Sequence, residues 1–430
     1  MRTLEHSKTT RQAGASRSGS FRPDVQGLRA VAVGLVLLYH AGVVPFSGGY
    51  VGVDVFFVIS GFLITGHLLT SIERDGRPHF ADFYARRARR ILPAALVVLT
   101  LTALALPIFA PPLSLAGQFK AAIATALYVP NLWFAAQDTD YLADHAASPF
   151  QHYWSLGVEE QFYLLWPLAL LGLVLLARGR RALVVAGIAG LAVTSFVLGL
   201  IATPWNQPLA FFWLPTRAWE LLVGGLVAAL VLDRPPRAPR WIVVAGGWVG
   251  LLAVVAAAVM FDGRTVFPGT AAAVPVLGTA AVIYFGSVRG PLGPTKLLSI
   301  EPVQRIGLMS YALYLVHWPL LALPSMSVPG GVGGLPLWQR LGLGIVLAVP
   351  AGWLLHRFVE EPTRSPRGLT SRPPRLTLIA AALATVLMTL GAVAGLTWSS
   401  SRTITAGGEA PAPPIVRRTP RWPRRRCRRT

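Results

Sequence analysis

Apolar residues in this chain are grouped in long unbroken runs, not in the alternating or one-sided stripes of a soluble fold. Each run holds about 18 residues or more, enough for a helix to cross a ~30 Å hydrocarbon core. Runs expected to span cover residues 28–44, 51–70, 91–110, 156–177, 182–201, 211–232, 241–260, 267–288, 303–323, 337–358 and 376–397. The pattern predicts an all-α polytopic membrane protein, a bundle of about 11 transmembrane helices arranged as 10 core spans plus 1.

The connectors alternate in charge. "ERDGRPHFADFYARRARR", "ARGRR", "DRPPRAPR", "SVRGPLGPTK" and "HRFVEEPTRSPRGLTSRPPR" are basic, whereas "TPWNQP", "FDGRTVFPG" and "SMSVPGGVGGLP" hold almost no Lys or Arg. The positive-inside rule puts the first set, with the N-terminus, in the cytoplasm. Residues 117–135, "GQFKAAIATALYVPNLWFA", are long enough to span, but counting them places the acidic "QDTDYLADHAASPFQH" inside and inverts every later loop. Charge bias therefore favours a re-entrant or surface-lying helix there, shielded by protein. The alternative is twelve spans with inverted topology downstream.

Composition agrees: 53% of residues are hydrophobic and only 13% charged, too apolar for a soluble protein of 430 residues. The net charge of +21 resides in loop clusters and the two tails, which is topology signal and argues against a nucleic-acid partner. Cys427 stands alone, so no internal disulfide forms. No phosphate-cradling loop, dinucleotide fingerprint or metal-ligand pair is evident, so neither a bound cofactor nor a metal is indicated.

Ionisable residues inside the apolar runs carry the candidate chemistry. Arg29 and His40 are eleven positions apart on the first span. At ~100° and ~1.5 Å per residue they share one face to within about 20°, roughly 16 Å apart along the axis. Arg29 alone is ordinary orientation signal, but the pair predicts one solvated route through the bundle. A histidine there can take a proton from a hydroxyl and return it. "FYARRARRILP" sets Arg86, Arg87, Arg89 and Arg90 just before the third span, Arg87 and Arg90 on one face and Arg86 and Arg90 on one face. Such guanidinium forks suit phosphates, or anionic lipid heads.

"HYWSLGVEEQFYLLWP" holds His152, Glu159, Glu160 and Tyr163. Either acid can share a face with the phenol, and one is expected to point inward and orient His40, or else to satisfy a buried Arg or Tyr. Asp54 is a second candidate partner for His40, or a helix cap. Glu220 and His317 lie inside spans and are expected to face a cavity, although His317 also suits a packed histidine bonded to a carbonyl.

These stretches, with "FRPDVQGLRAVAVGLVLLYH", "GGYVGVDVFFVISGFLIT" and "SYALYLVHWP", resemble in order the signatures of acyltransferase family 3, bacterial integral-membrane O-acyltransferases that modify surface glycans and secreted metabolites. The resemblance implies transfer of an acyl group, most often acetyl, from cytoplasmic acyl-CoA to a hydroxyl of a glycan or small-molecule acceptor. It implies His40 as general base, Glu159, Glu160 or Asp54 as its orienter, and Arg29, Arg86, Arg87 and Arg90 as donor-binding residues. His152, Tyr163, Glu220 and His317 are the further cavity candidates. A plasma-membrane protein embedded in the lipid bilayer is expected. The rival reading is a transporter or flippase of a lipid-linked saccharide.

Five segments are expected: a disordered cytoplasmic tail (1–20), the acyltransferase domain (21–362), a basic linker (363–375), an additional span (376–397) and a disordered Arg/Pro-rich extracytoplasmic tail (398–430). Family members with the additional span commonly continue into an SGNH-type hydrolase domain. The thirty or so residues here are too few to pack one, so a separate extracytoplasmic esterase or transferase is an expected partner.

Overall fold

The computed structural model of the chain describes residues 21–142, 148–232, 236–288, 292–365 and 372–407, with side chains through 401. The expected tails, 1–20 and the part of 398–430 beyond 407 that includes Cys427, lie outside the described residues.

The chain folds as helices in the order α1 (Pro23–His40), α2 (Gly52–Asp75), α3 (Phe80–Phe109), α4 (Leu115–Ala126), α5 (Pro130–Ala136), α6 (Tyr153–Leu176), α7 (Arg181–Trp205), α8 (Gln207–Phe212), α9 (Leu214–Val231), α10 (Arg240–Met260), α11 (Ala273–Gly286), α12 (Thr295–Leu298) and α13 (Glu301–Ser325). Then come α14 (Leu337–Arg364), continuous through π-helical stretches at Gly342–Leu347 and His356–Glu360, and α15 (Pro374–Gly407). Among the described residues nine helical segments are long and apolar enough to cross a membrane. The protein is a polytopic membrane protein.

Two of the expected eleven spans fall outside that set, for different reasons. At 14 residues, α11 is short. The 18 residues of α1 include Asp24, Arg29 and His40, which lower its hydropathy. That is tolerated because α1 is enclosed by α2, α11, α12 and α13 and meets little lipid. Arg22 grips Asp24 at 2.6 Å and donates to the Ile283 carbonyl at 2.7 Å, holding the start of α1 to α11.

Residues 117–135 do not form one crossing helix. Tyr128 adopts a left-handed φ of 58° and Pro130 has no N–H to continue α4, so the segment splits into α4 and α5. At 12 and 7 residues neither piece is long enough to span. The last helix is longer than expected, running through Gly407 into the segment assigned to the tail.

Hydrocarbon offers no hydrophobic drive between helices, so close backbone contact supplies the packing. The clearest case joins α2 to α9. Gly61 lies against the Leu221 carbonyl and Gly224 against the Val58 carbonyl, and a Cβ on either would collide with backbone. Outside this core, α15 packs on α3 and α4. Arg89 fastens it, donating to Thr377 Oγ1 at 2.7 and 2.9 Å and to the Arg372 carbonyl at 2.9 Å.

Candidate active site

His40 is the last residue of α1, and α13 brings His317 to it. His317 Nδ1 lies 2.7 Å from the Tyr314 carbonyl and 3.2 Å from that of Leu313, both one turn back on its own helix. Carbonyls only accept, so Nδ1 carries the proton and Nε2 of a neutral His317 presents a lone pair. That lone pair faces His40 Nδ1 at 3.1 Å, which must then be the donor. His40 Nε2 is left unprotonated, 3.2 Å from the Tyr141 hydroxyl, which donates to it. The Trp318 ring packs on the imidazole, centroids 4.5 Å apart. The helix carbonyl thus sets both tautomers, and the basic nitrogen of His40 points away from α13.

Nε2 borders a cavity of about 690 Å³ at the end of the bundle that loop charge leads one to expect outside, hence the outer cavity, lined by Tyr39, His40, Gln118, Trp133, Tyr141, Trp318 and Arg340 among others. Aromatic faces interleaved with amides and charges are what a saccharide hydroxyl array needs.

The arginines gather elsewhere. A basin of about 380 Å³ is lined by His67, Arg86, Arg87, Arg89, Arg90 and Arg364. It shares Leu63, Arg87 and Arg90 with a narrow inner cavity of about 70 Å³ that adds Arg29, Glu159, Tyr163, Ser155 and Tyr314. The Arg87 guanidinium lies over the Tyr163 ring at 4.3 Å. Glu159 accepts from Ser60 at 2.8 Å and from the Tyr163 hydroxyl at 3.1 Å. Arg86 donates to His67 at 2.9 Å. Arg29 and Arg90 make no hydrogen bond or ion pair among the described residues, so their donors are available in the inner cavity.

Several expectations are corrected here. Arg29 and His40 do not share one shaft: their two cavities have no lining residue in common. Side chains fill the gap. The Tyr314 hydroxyl donates to the His152 carbonyl at 2.8 Å and pairs with Ser155 at 2.7 Å, while the His152 ring lies 6.0 Å from that of His317. His152 therefore sits in the partition, its ring nitrogens buried. None of the three candidate carboxylates reaches His40. Glu159 belongs to the arginine side, and Glu160 Oε1 is buried and unpartnered. Asp54 accepts from Arg217 at 2.8 Å, and Glu220, expected to face a cavity, pairs with the same guanidinium at 2.5 Å. The sequence reading missed Arg217, wholly buried among Phe57, Trp154, Phe211 and Phe267, although its spacing of three from Glu220 within one span was visible. The place expected of a carboxylate beside His40 is taken by His317.

With this geometry in view, comparison with known proteins is decisive for the family. The acyltransferase domain family matches residues 22–357. The chain belongs to that family. It is 31% identical over 360 residues to the peptidoglycan O-acetyltransferase OatA of Listeria monocytogenes, covering 81% of this chain and 56% of the relative. To the O-acetyltransferase OatA of Staphylococcus aureus it is 31% identical over 363 residues, 81% of this chain and 58% of the relative. To YrhL of Bacillus subtilis, described as a putative peptidoglycan O-acetyltransferase, it is 30% identical over 355 residues, 80% and 55% respectively. The chain thus spans a little over half the length of these relatives. No solved structure matches.

Proposed function

We propose that this chain is a membrane O-acyltransferase that takes an acyl group, acetyl by analogy with the relatives' names, from a cytoplasmic acyl-CoA and delivers it to a hydroxyl of a cell-envelope glycan. The observation that carries the reading is the relay from the Tyr314 carbonyl through His317 to His40, which leaves an unprotonated Nε2 facing a saccharide-sized cavity.

In this reading the donor's phosphates lie in the arginine basin, on the side that the basic loops assign to the cytoplasm. Its thioester arm follows the narrow inner cavity toward Ser155 and Tyr314. The acceptor enters from the outer cavity. His40 Nε2 removes the hydroxyl proton as the oxygen attacks the thioester carbonyl carbon, the C–S bond breaks, and the departing thiolate takes that proton from the His40 imidazolium, which restores the neutral base. The imidazolium formed on His40 keeps its Nδ1–H bond to His317, so the second histidine orients the first and shares its charge. Direct attack needs the thioester carbonyl at the hydroxyl held by His40, so in this reading the layer of Tyr314, His152 and His317 parts as the donor's arm enters.

Purified protein in lipid nanodiscs, given acetyl-CoA labelled in the acetyl group and a wall glycan, is expected to place label on the glycan as an alkali-labile ester. A His40→Ala variant at equal recovery is expected to place none. Equal transfer by that variant refutes the base assignment. The two back-to-back cavities also suit a transporter of a lipid-linked saccharide. That reading predicts movement of saccharide across the bilayer with no ester formed.

A further inference from the structure

Arg340 lies on α14 and lines the outer cavity with His40. It makes no hydrogen bond or ion pair among the described residues, and its Nε is shielded from solvent without an acceptor. An unpaired guanidinium in a half-buried position is costly unless something anionic visits it. Its placement is built into the chain. Gly42, two residues past His40, holds φ at 71°, and a methyl group built on it would lie 2.7 Å from Arg340 Cζ and 3.1 Å from Nη2, overlapping Nη1. Gly42, with its left-handed φ and no side chain, leaves room for the guanidinium against the end of α1, beside the proposed base. Asp138 and Asp140 also line the cavity, yet neither pairs with Arg340. The cavity is therefore bipolar, with acceptors for sugar hydroxyls and one fork of donors left over.

The geometry points to Arg340 as the anchor for a carboxylate on the acceptor, which makes the preferred acceptor an acidic saccharide. This rests on the acyltransferase reading above and adds what the outer cavity selects. A planar fork matches a carboxylate with two parallel hydrogen bonds. Because the anchor holds the acceptor and not the reacting atoms, it governs binding more than turnover.

The test uses the full chain in phosphatidylcholine nanodiscs and two probes: the disaccharide of N-acetylglucosamine and N-acetylmuramic acid with its lactyl carboxylate free, and the methyl ester of the same compound. Binding and label transfer from acetyl-CoA are both measured. Wild type is expected to bind the acid about tenfold more tightly than the ester, the yield of one charge-assisted bidentate contact. Arg340→Gln is expected to remove that preference and raise KM for the acid alone, with kcat for the ester unchanged. Arg340→Lys, which keeps the charge at the end of α1 but not the fork, is expected to recover only part of the preference and to melt with wild type.

Equal binding of acid and ester overturns the inference and leaves the acyltransferase reading intact. Binding of neither overturns both. A fall in kcat for both probes in Arg340→Gln also contradicts it, since that is the mark of a structural role or of a contact to the reacting carbonyl. A final arm adds phosphatidylglycerol. If the anionic lipid abolishes the acid preference, the guanidinium serves headgroups and the inference fails.

Discussion

Replacing His317 by leucine removes the acceptor of the His40 Nδ1 proton while keeping an apolar volume between α1 and α13. In the wild type that bond is 3.1 Å long, and His317 is fully buried and fixed by two helix carbonyls. His40 then loses both its enforced tautomer and the partner that shares the charge of its protonated form. A hydrogen bond to a charged group is worth about 1.5–3 kcal/mol, which corresponds to a loss of roughly 10- to 100-fold in turnover. Glutamine at 317 tests the mechanism of that loss. Its amide oxygen takes the place of Nε2 and its nitrogen can donate to the Tyr314 carbonyl, so His317→Gln is expected to stay within about tenfold of wild type. The assay is label transfer from acetyl-CoA to glycan in nanodiscs at saturating donor. The donor KM should be unchanged, because the arginine basin lies beyond the partition. Wild-type turnover in His317→Leu, with the protein shown to be folded, refutes the relay.

Four further outcomes follow from the same geometry. His40→Gln is expected to lose about 10²–10⁴ in kcat, and adding His317→Leu to it should cost almost nothing more; independent, additive losses would show that the two histidines do not act as one unit. Arg87→Ala and Arg90→Ala, which line both the basin and the inner cavity, should each raise the donor KM by roughly tenfold or more with little change in kcat; a donor titration that does not move removes their phosphate role. Arg217→Met leaves Asp54 and Glu220 buried without their counter-ion and is expected to destabilise the protein by about 3–5 kcal/mol; an unshifted melting curve in detergent would contradict this. Gly61→Leu places a side chain into the Leu221 carbonyl and should abolish monodisperse protein on size-exclusion chromatography, and normal elution would show that α2 and α9 can part.

Run length and loop charge made most of the bundle legible, because in lipid a helix must satisfy its own backbone and the sequence must therefore be apolar for its whole length. The same logic under-reads α1, whose Asp24, Arg29 and His40 are affordable only because other helices enclose it. The split between α4 and α5 was half visible, since charge bias argued against a crossing while Tyr128 and Pro130 decide where the break falls. Helical periodicity predicted one face for Arg29 and His40. It could not show that Tyr314, on α13, and His152, just before α6, fill the space between them. Partner choice was the least legible feature. Adjacent acids on α6 suggested a carboxylate for His40, yet His317, 277 residues away in sequence, holds that place, and Glu159 is bonded to Ser60 and Tyr163 instead. Spacing along one helix reports which side chains share a face; it carries no information on which other helix that face meets.

The most direct test of the account is sided. Vesicles are prepared in both orientations, labelled acetyl-CoA is supplied only to the outer medium, and ester-linked label on glycan is counted for wild type and His40→Ala. The account predicts ester formation only when the arginine basin faces the medium, and none in either orientation for the variant. Equal labelling from both faces, or labelling that survives loss of the imidazole, would contradict it.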